Sequence, residues 1–76
     1  MNTTDEIRMP LALIAPGEYQ QALIKASQMA MAKSRVIYIY SDQVMYWACS
    51  TYQGKFLAKC WPGGKVISRK DWKKDE

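Results

Sequence analysis

The segment Glu18 to Lys33 restricts the fold more than any other part of the chain, because it reads as a helix with a small-residue face, followed almost at once by a run of β-formers. Pro16-Gly17 breaks the chain in front of it. Strong helix formers fill the segment. Glu18 lies in the first turn, and Lys33, followed by Arg35, lies at the end, so both ends suit the macrodipole. Tyr19, Leu23, Ala26 and Ala30, with Ala22 and Met29 beside them, recur at helical spacing. A face this rich in alanine permits close approach to a sheet.

After Ser34 the pattern changes. Val36-Ile37-Tyr38-Ile39-Tyr40 are all β-formers, and Ser41-Asp42-Gln43 offers a turn. A second strand is expected from Val44 to Tyr52, ending at a tight hairpin turn on Gln53-Gly54. A third runs from Lys55 to Trp61 and stops at Pro62-Gly63-Gly64, with Lys65 to Ser68 as a fourth, short strand. Leu11 to Ala15 is expected as a short edge strand or an extended segment on the core. The fold class is therefore α+β: one amphipathic helix packed on an antiparallel sheet of three to four strands. Residues 1–76 are expected to form a single domain, with 1–9 and 70–76 frayed.

At 76 residues the chain buries only ~60% of the surface it exposes when unfolded, so its core must be efficient. Its 49% hydrophobic and 12% aromatic residues lie outside the disordered range. The longest apolar run, Met9 to Ala15, contains Pro10 and is far shorter than the roughly 20 residues a bilayer span needs. Asn2-Thr3-Thr4-Asp5-Glu6 is acidic where a secretory signal is basic. These features lead to the expectation of a cytoplasmic protein without a membrane partner.

Two-residue turns in both hairpins would sort the strand side chains into two sets. One holds Val36, Tyr38, Tyr40, Met45, Trp47, Cys49, Thr51, Phe56, Ala58 and Cys60. The other holds Ile37, Ile39, Val44, Tyr46, Ala48, Ser50, Tyr52, Lys55, Leu57, Lys59 and Trp61. Only the second contains lysines, so the first is expected under the helix and the second toward solvent or a partner. On that basis Tyr46, Tyr52, Lys55, Lys59 and Trp61 are the candidate partner-binding residues: rings anchor an interface or stack on bases, and lysines attract phosphates or carboxylates. The alternative is that Leu11 to Ala15, Val66-Ile67 or a second copy of the chain covers this face.

The net charge of +4 arises in the last third, where Lys55, Lys59, Lys65, Arg69, Lys70, Lys73 and Lys74 face only Asp71, Asp75 and Glu76. Lys65, Arg69, Lys70, Lys73 and Lys74, with Trp72 among them, are candidates for binding nucleic acid or an acidic partner; the alternative is a solvated tail. Neither a Gly-aromatic RNA-binding strand nor a Gly-x-x-Gly clamp is present.

Catalysis has little foothold. The chain has no histidine, which removes the usual proton shuttle and the base for Ser or Cys nucleophiles. Cys49 and Cys60 read as buried small hydrophobes on one sheet face, with a disulfide or reactive thiol as the alternative. Two thiolates leave a zinc site half filled. Asp42 sits alone in a turn, and Gly63-Gly64 precedes a strand rather than a phosphate-binding helix. No catalytic residue, metal or cofactor is assigned. A remote alternative is a histidine-free, toxin-type ribonuclease using Tyr52, Lys55, Lys59 and Arg69.

The Ala/Met-rich helix Ala26-Ser27-Gln28-Met29-Ala30-Met31-Ala32, followed at once by an aromatic hairpin, resembles in layout some small phage-encoded anti-CRISPR proteins across residues 18–61. The resemblance implies a non-enzymatic inhibitor that docks on a nucleoprotein complex and blocks target binding. The positive balance departs from the acidic, DNA-mimicking members and suits a binder of acidic surfaces. The leading expectation is a small binding or inhibitor protein, encoded by a phage or mobile element, whose partner is a protein or nucleoprotein complex. A small basic nucleic-acid-binding module is the alternative, and a homodimer fits either.

Overall fold

The computed structural model describes residues 6–52 and 54–71. In chain order these form β1 (Arg8–Leu13), α1 (Glu18–Lys33), β2 (Ile37–Ser41), β3 (Met45–Cys49), β4 (Ala58–Cys60) and β5 (Val66–Ser68), closed by a 3-10 turn at Arg69–Asp71. The strands make one antiparallel sheet in the order β1-β3-β2-β4-β5. The α+β class stands, with five strands rather than three to four. Among the described residues no helix is long and apolar enough to cross a membrane.

The helix begins and ends where the sequence places it. Gly17 supplies a left-handed turn (φ 83°) ahead of it, and the Glu18 N–H donates to the Ala15 carbonyl at 3.0 Å. At the far end Ser34 is also left-handed (φ 56°), a conformation few residues other than glycine adopt. The reversal lets the Arg35 N–H reach back to the Ala30 carbonyl at 3.1 Å and feeds the chain directly into β2.

One face of the helix, Ala22, Ala26 and Ala30, is completely buried against Leu11, Ile37, Ile39, Ala48, Ala58 and Cys60. Small side chains on both layers let the helix lie close to the sheet. On β2 and β3 the face it covers is the opposite of the one expected, whereas Ala58 and Cys60 lie under it as expected. Tyr38, Tyr40, Trp47 and Cys49 do share a face, since Tyr38 pairs with Cys49 and Tyr40 with Trp47, but that face points away from the helix. Alanines need an aliphatic floor that fits under a close-lying backbone, and the isoleucine side of β2 provides it.

Strand β4 also lies elsewhere than expected. A hairpin would have laid it beside β3; instead it pairs with β2, matching Ile37 with Cys60, Tyr38 with Lys59 and Ile39 with Ala58. The edge of β3 that a hairpin partner would take is occupied by β1, with Arg8 opposite Cys49 and Met9 opposite Ala48. Consequently β3 stops at Cys49 rather than Tyr52, and β4 shortens to Ala58–Cys60. Strands β3 and β4 both run antiparallel to β2 and so lie parallel to each other on either side of it. Residues 50–52 and 54–57 belong to the connection between them. They cross the face that the helix leaves open, where Tyr52 and Phe56 meet Tyr38. Gly54 has the positive φ (97°) expected there, and Gln53 lies outside the described residues.

Strand β1 starts earlier than expected, at Arg8, so residues 8 and 9 belong to the sheet. Pro10 is tolerated because β1 is an edge strand, and a bulge between Pro10 and Ala12 turns Leu11 into the core. The Lys25 ammonium donates to the Leu11 carbonyl at 3.1 Å, tying helix to bulge. Leu11 to Leu13 and Val66-Ile67 thus lie at the two edges of the sheet, and neither covers its open face.

Candidate functional site

The open face carries a continuous row of rings and cations. At one end the turn between β4 and β5 is closed by the Trp61 N–H on the Lys65 carbonyl (2.8 Å), which brings Lys65 back beside the indole. The Lys65 ammonium lies 5.3 Å from the Trp61 ring centre and that of Lys59 lies 4.8 Å from it. Lys59 is also 5.4 Å from the ring of Tyr38, its cross-strand neighbour. Tyr38 in turn contacts Phe56 edge-on (5.4 Å) and Tyr52 (5.7 Å), and these two touch each other at 6.0 Å. The Arg69 guanidinium closes the row, 5.7 Å from the Phe56 ring. Each cation–ring contact of this exposed kind is worth about 0.5–1 kcal/mol.

Beyond Phe56 the row opens into a cavity of about 520 Å³ lined by Lys55, Phe56, Leu57, Ser68, Arg69 and Lys70. Its floor is apolar and its rim carries three cations. On the other side of Tyr38, Tyr40 and Trp47 extend the aromatic surface toward β1, where the Arg8 guanidinium lies 5.5 Å from the Trp47 ring.

Four of the five expected partner-binding residues, Tyr52, Lys55, Lys59 and Trp61, lie on or beside this face. Tyr46 does not. It alternates with Trp47 along β3, faces the helix, and packs against Tyr19 at 5.6 Å. Tyr38, Phe56, Trp47 and Arg8, not among the expected site residues, belong to the open face. The signal for Tyr38 and Trp47 is their shared register set, which the sequence reading places on the wrong side of the sheet. Of the basic C-terminal candidates, Lys65 and Arg69 sit over rings and Lys70 lines the cavity, whereas Trp72, Lys73 and Lys74 lie outside the described residues. Tyr52, Lys55, Lys59 and Arg69 do not meet at one point: Lys59 lies over Tyr38 and Trp61, and Arg69 lies over Phe56 beside Lys55.

The thiols fall on opposite faces, because β4 borders β2. Cys49 shares the Tyr38 side and Cys60 the helix side, and both are free and buried. Burial pushes the Cys60 thiol up to about 11, and it raises Cys49 against the opposing influence of Arg8. Both are therefore protonated near neutral pH and poor nucleophiles. Among the described residues no group of three His, Cys, Asp or Glu side chains is placed to hold a metal ion.

Asp42 is committed to the β2–β3 turn. Its Oδ1 accepts from the Val44 and Met45 N–H groups, each at 2.7 Å, and its Oδ2 accepts from the Trp47 indole at 2.9 Å. The Val44 bond, then the indole, then the Met45 bond hold the carboxyl below its ordinary pKa. Since these bonds favour the charged form, their contribution is complete above the unfolded carboxylate pKa of about 3.9 and fades as pH falls through the lower folded value. Asp42→Asn is expected to lower the urea midpoint at pH 7 and to flatten the acid limb below about pH 4 relative to wild type. Parallel pH profiles of the two proteins would refute the assignment.

Searches against protein-family models, curated proteins and solved structures gave no match to this chain.

Proposed function

We propose that the protein is a non-enzymatic binding protein that docks through its open sheet face on an acidic surface of a protein or nucleoprotein complex. The observation that carries this reading is the Lys59 ammonium shared between the rings of Tyr38 and Trp61, at the centre of the ring–cation row. Rings that are half-exposed on a rigid sheet make good interface anchors, and adjacent cations select an acidic partner. Two features support a role without catalysis: the sequence has no histidine, and its two thiols are buried and held protonated. The layout likeness to phage-encoded inhibitors favours an occluding role, in which the docked domain blocks a partner's own ligand.

The test is capture from an extract of the native host with immobilised protein, read for both protein and nucleic acid. A Lys59→Ala/Trp61→Ala variant with an unchanged circular dichroism spectrum is expected to recover about tenfold less of the partner, or lower still. Equal recovery by wild type and variant would remove the open face from the mechanism.

A further inference from the structure

Taking the open face as the binding surface, we infer that its occupant is single-stranded nucleic acid, with bases stacked on Trp61, Tyr38 and Tyr52 and phosphates held by Lys59, Lys65 and Arg69. The inference rests on the proposed function and adds the chemical class of the partner. A single strand presents planar, largely apolar bases alternating with anionic phosphates. The row Lys65, Trp61, Lys59, Tyr38 presents the complement in the same alternation and continues through Phe56 to Arg69, with successive members 4.8–5.7 Å apart. A protein surface also uses rings as anchors; a single strand adds planar bases set between its charges.

The rings divide by exposure into two roles. Phe56 is only 1% exposed and serves as the floor against which Tyr38 and Tyr52 stand, whereas Tyr52 is 49% exposed and Tyr38 and Trp61 are half-buried. A base is held by an aromatic ring more strongly than an exposed ammonium is, so an incoming base displaces the lysine from the ring. The displaced ammonium is then one side-chain swing from the phosphate of the same nucleotide.

Electrostatics favour an anionic strand. From residue 55 to 71 the described chain carries Lys55, Lys59, Lys65, Arg69 and Lys70 against Asp71 alone, and the Asp71 carboxylate accepts from the Ser68 hydroxyl at 3.0 Å. Shape favours a single strand over insertion into a duplex major groove. Five strands at ~4.8 Å spacing make a sheet about 19 Å wide, and a major groove only ~12 Å wide does not admit its face. Rings lying on such a face stack most readily on bases that are already unpaired.

The experiment is fluorescence anisotropy of the purified full-length protein with labelled oligo-dT and oligo-rU of roughly ten nucleotides, and with a duplex of equal length, at about 50 mM salt and upward. Both single strands, or one of them, are expected to bind at least about tenfold more tightly than the duplex. Trp61→Ala is expected to weaken binding about 5- to 100-fold while Trp61→Phe, which keeps a ring, retains most of it. Lys59→Gln/Lys65→Gln, both surface changes, should reduce the salt slope by about 0.7 for each phosphate that the lysines no longer neutralise. Equal binding of strand and duplex, insensitive to Trp61→Ala, would overturn the inference, since it would mean generic polyanion attraction. No binding to any oligonucleotide, with a protein partner captured through the same face, would overturn the single-strand inference and leave the docking reading standing. No binding and no face-dependent capture would overturn both.

Discussion

Phe56→Ala is expected to lower stability by about 3 kcal/mol, the low end of the usual range for losing a buried phenylalanine. Phe56 is 1% exposed yet lies outside the helix–sheet core, held between Tyr38, Tyr52 and Arg69 in the segment that crosses the open face. The low end applies because the crossover is a connection rather than a strand and can settle into part of the space. Even so, a chain of 76 residues has roughly 4–11 kcal/mol in total, so the change consumes a large share of it. It also undermines the rings of Tyr38 and Tyr52, so affinity for the open-face partner should fall in the fraction that remains folded. Urea unfolding followed by circular dichroism measures the first effect, and Phe56→Leu, which keeps most of the volume, should lose about half as much or less. A loss below about 1 kcal/mol would show that Phe56 is not packed on the sheet as described.

That residue also marks where the sequence stops being legible. The helix from Glu18 to Lys33 is readable because its signals are local: a glycine break, end charges and an alanine face. Strands β2 and β3 are readable for the same reason, and their alternation sorts Tyr38 with Trp47 correctly. What no local signal contains is the identity of each strand's neighbour. Gln53-Gly54 looks like a hairpin turn whether the chain folds back beside β3 or crosses β2, and a left-handed Gly54 serves either path. The deciding fact is long-range: β1, at the start of the chain, claims the outer edge of β3. Once it does, Lys59 lands beside Tyr38, Cys49 and Cys60 part onto opposite faces, and the helix side is fixed by volume. The candidate site is half legible accordingly. Tyr52, Lys59 and Trp61 are found through their chemistry, while Tyr38 and Phe56, which connect them, depend on the topology. Tyr46 is misplaced because lysine position alone selects the solvent side in the sequence, and the hairpin register puts Lys59 on the same face as Tyr46.

Ile39→Ala is expected to cost about 4–5 kcal/mol, the upper end of the range for truncating a buried aliphatic side chain, and to leave the protein largely unfolded at 37 °C. Ile39 is fully buried in β2, the middle strand of the sheet, and its direct neighbours on the adjoining strands are Ala48 and Ala58. The helix residues in the same cluster are Ala22, Ala26 and Ala30. Alanine has no rotamers with which to fill a void, and the backbones that carry these methyl groups are held by the sheet ladder and the helix. A cavity at position 39 therefore stays open, whereas the crossover around Phe56 can settle. Ile39→Val, which removes one methyl group, should cost only about 0.5–1.5 kcal/mol. Non-additivity is expected as well: Ala58→Val should destabilise the wild-type protein by overpacking, yet recover part of the loss in the Ile39→Ala background, because its added methyl groups enter the space beside it. Urea unfolding of the four proteins in this cycle measures the coupling. Simple additivity of the two substitutions would mean that the alanine layer yields more readily than its packing implies, and that close helix–sheet contact is not what fixes which face of the sheet stays open.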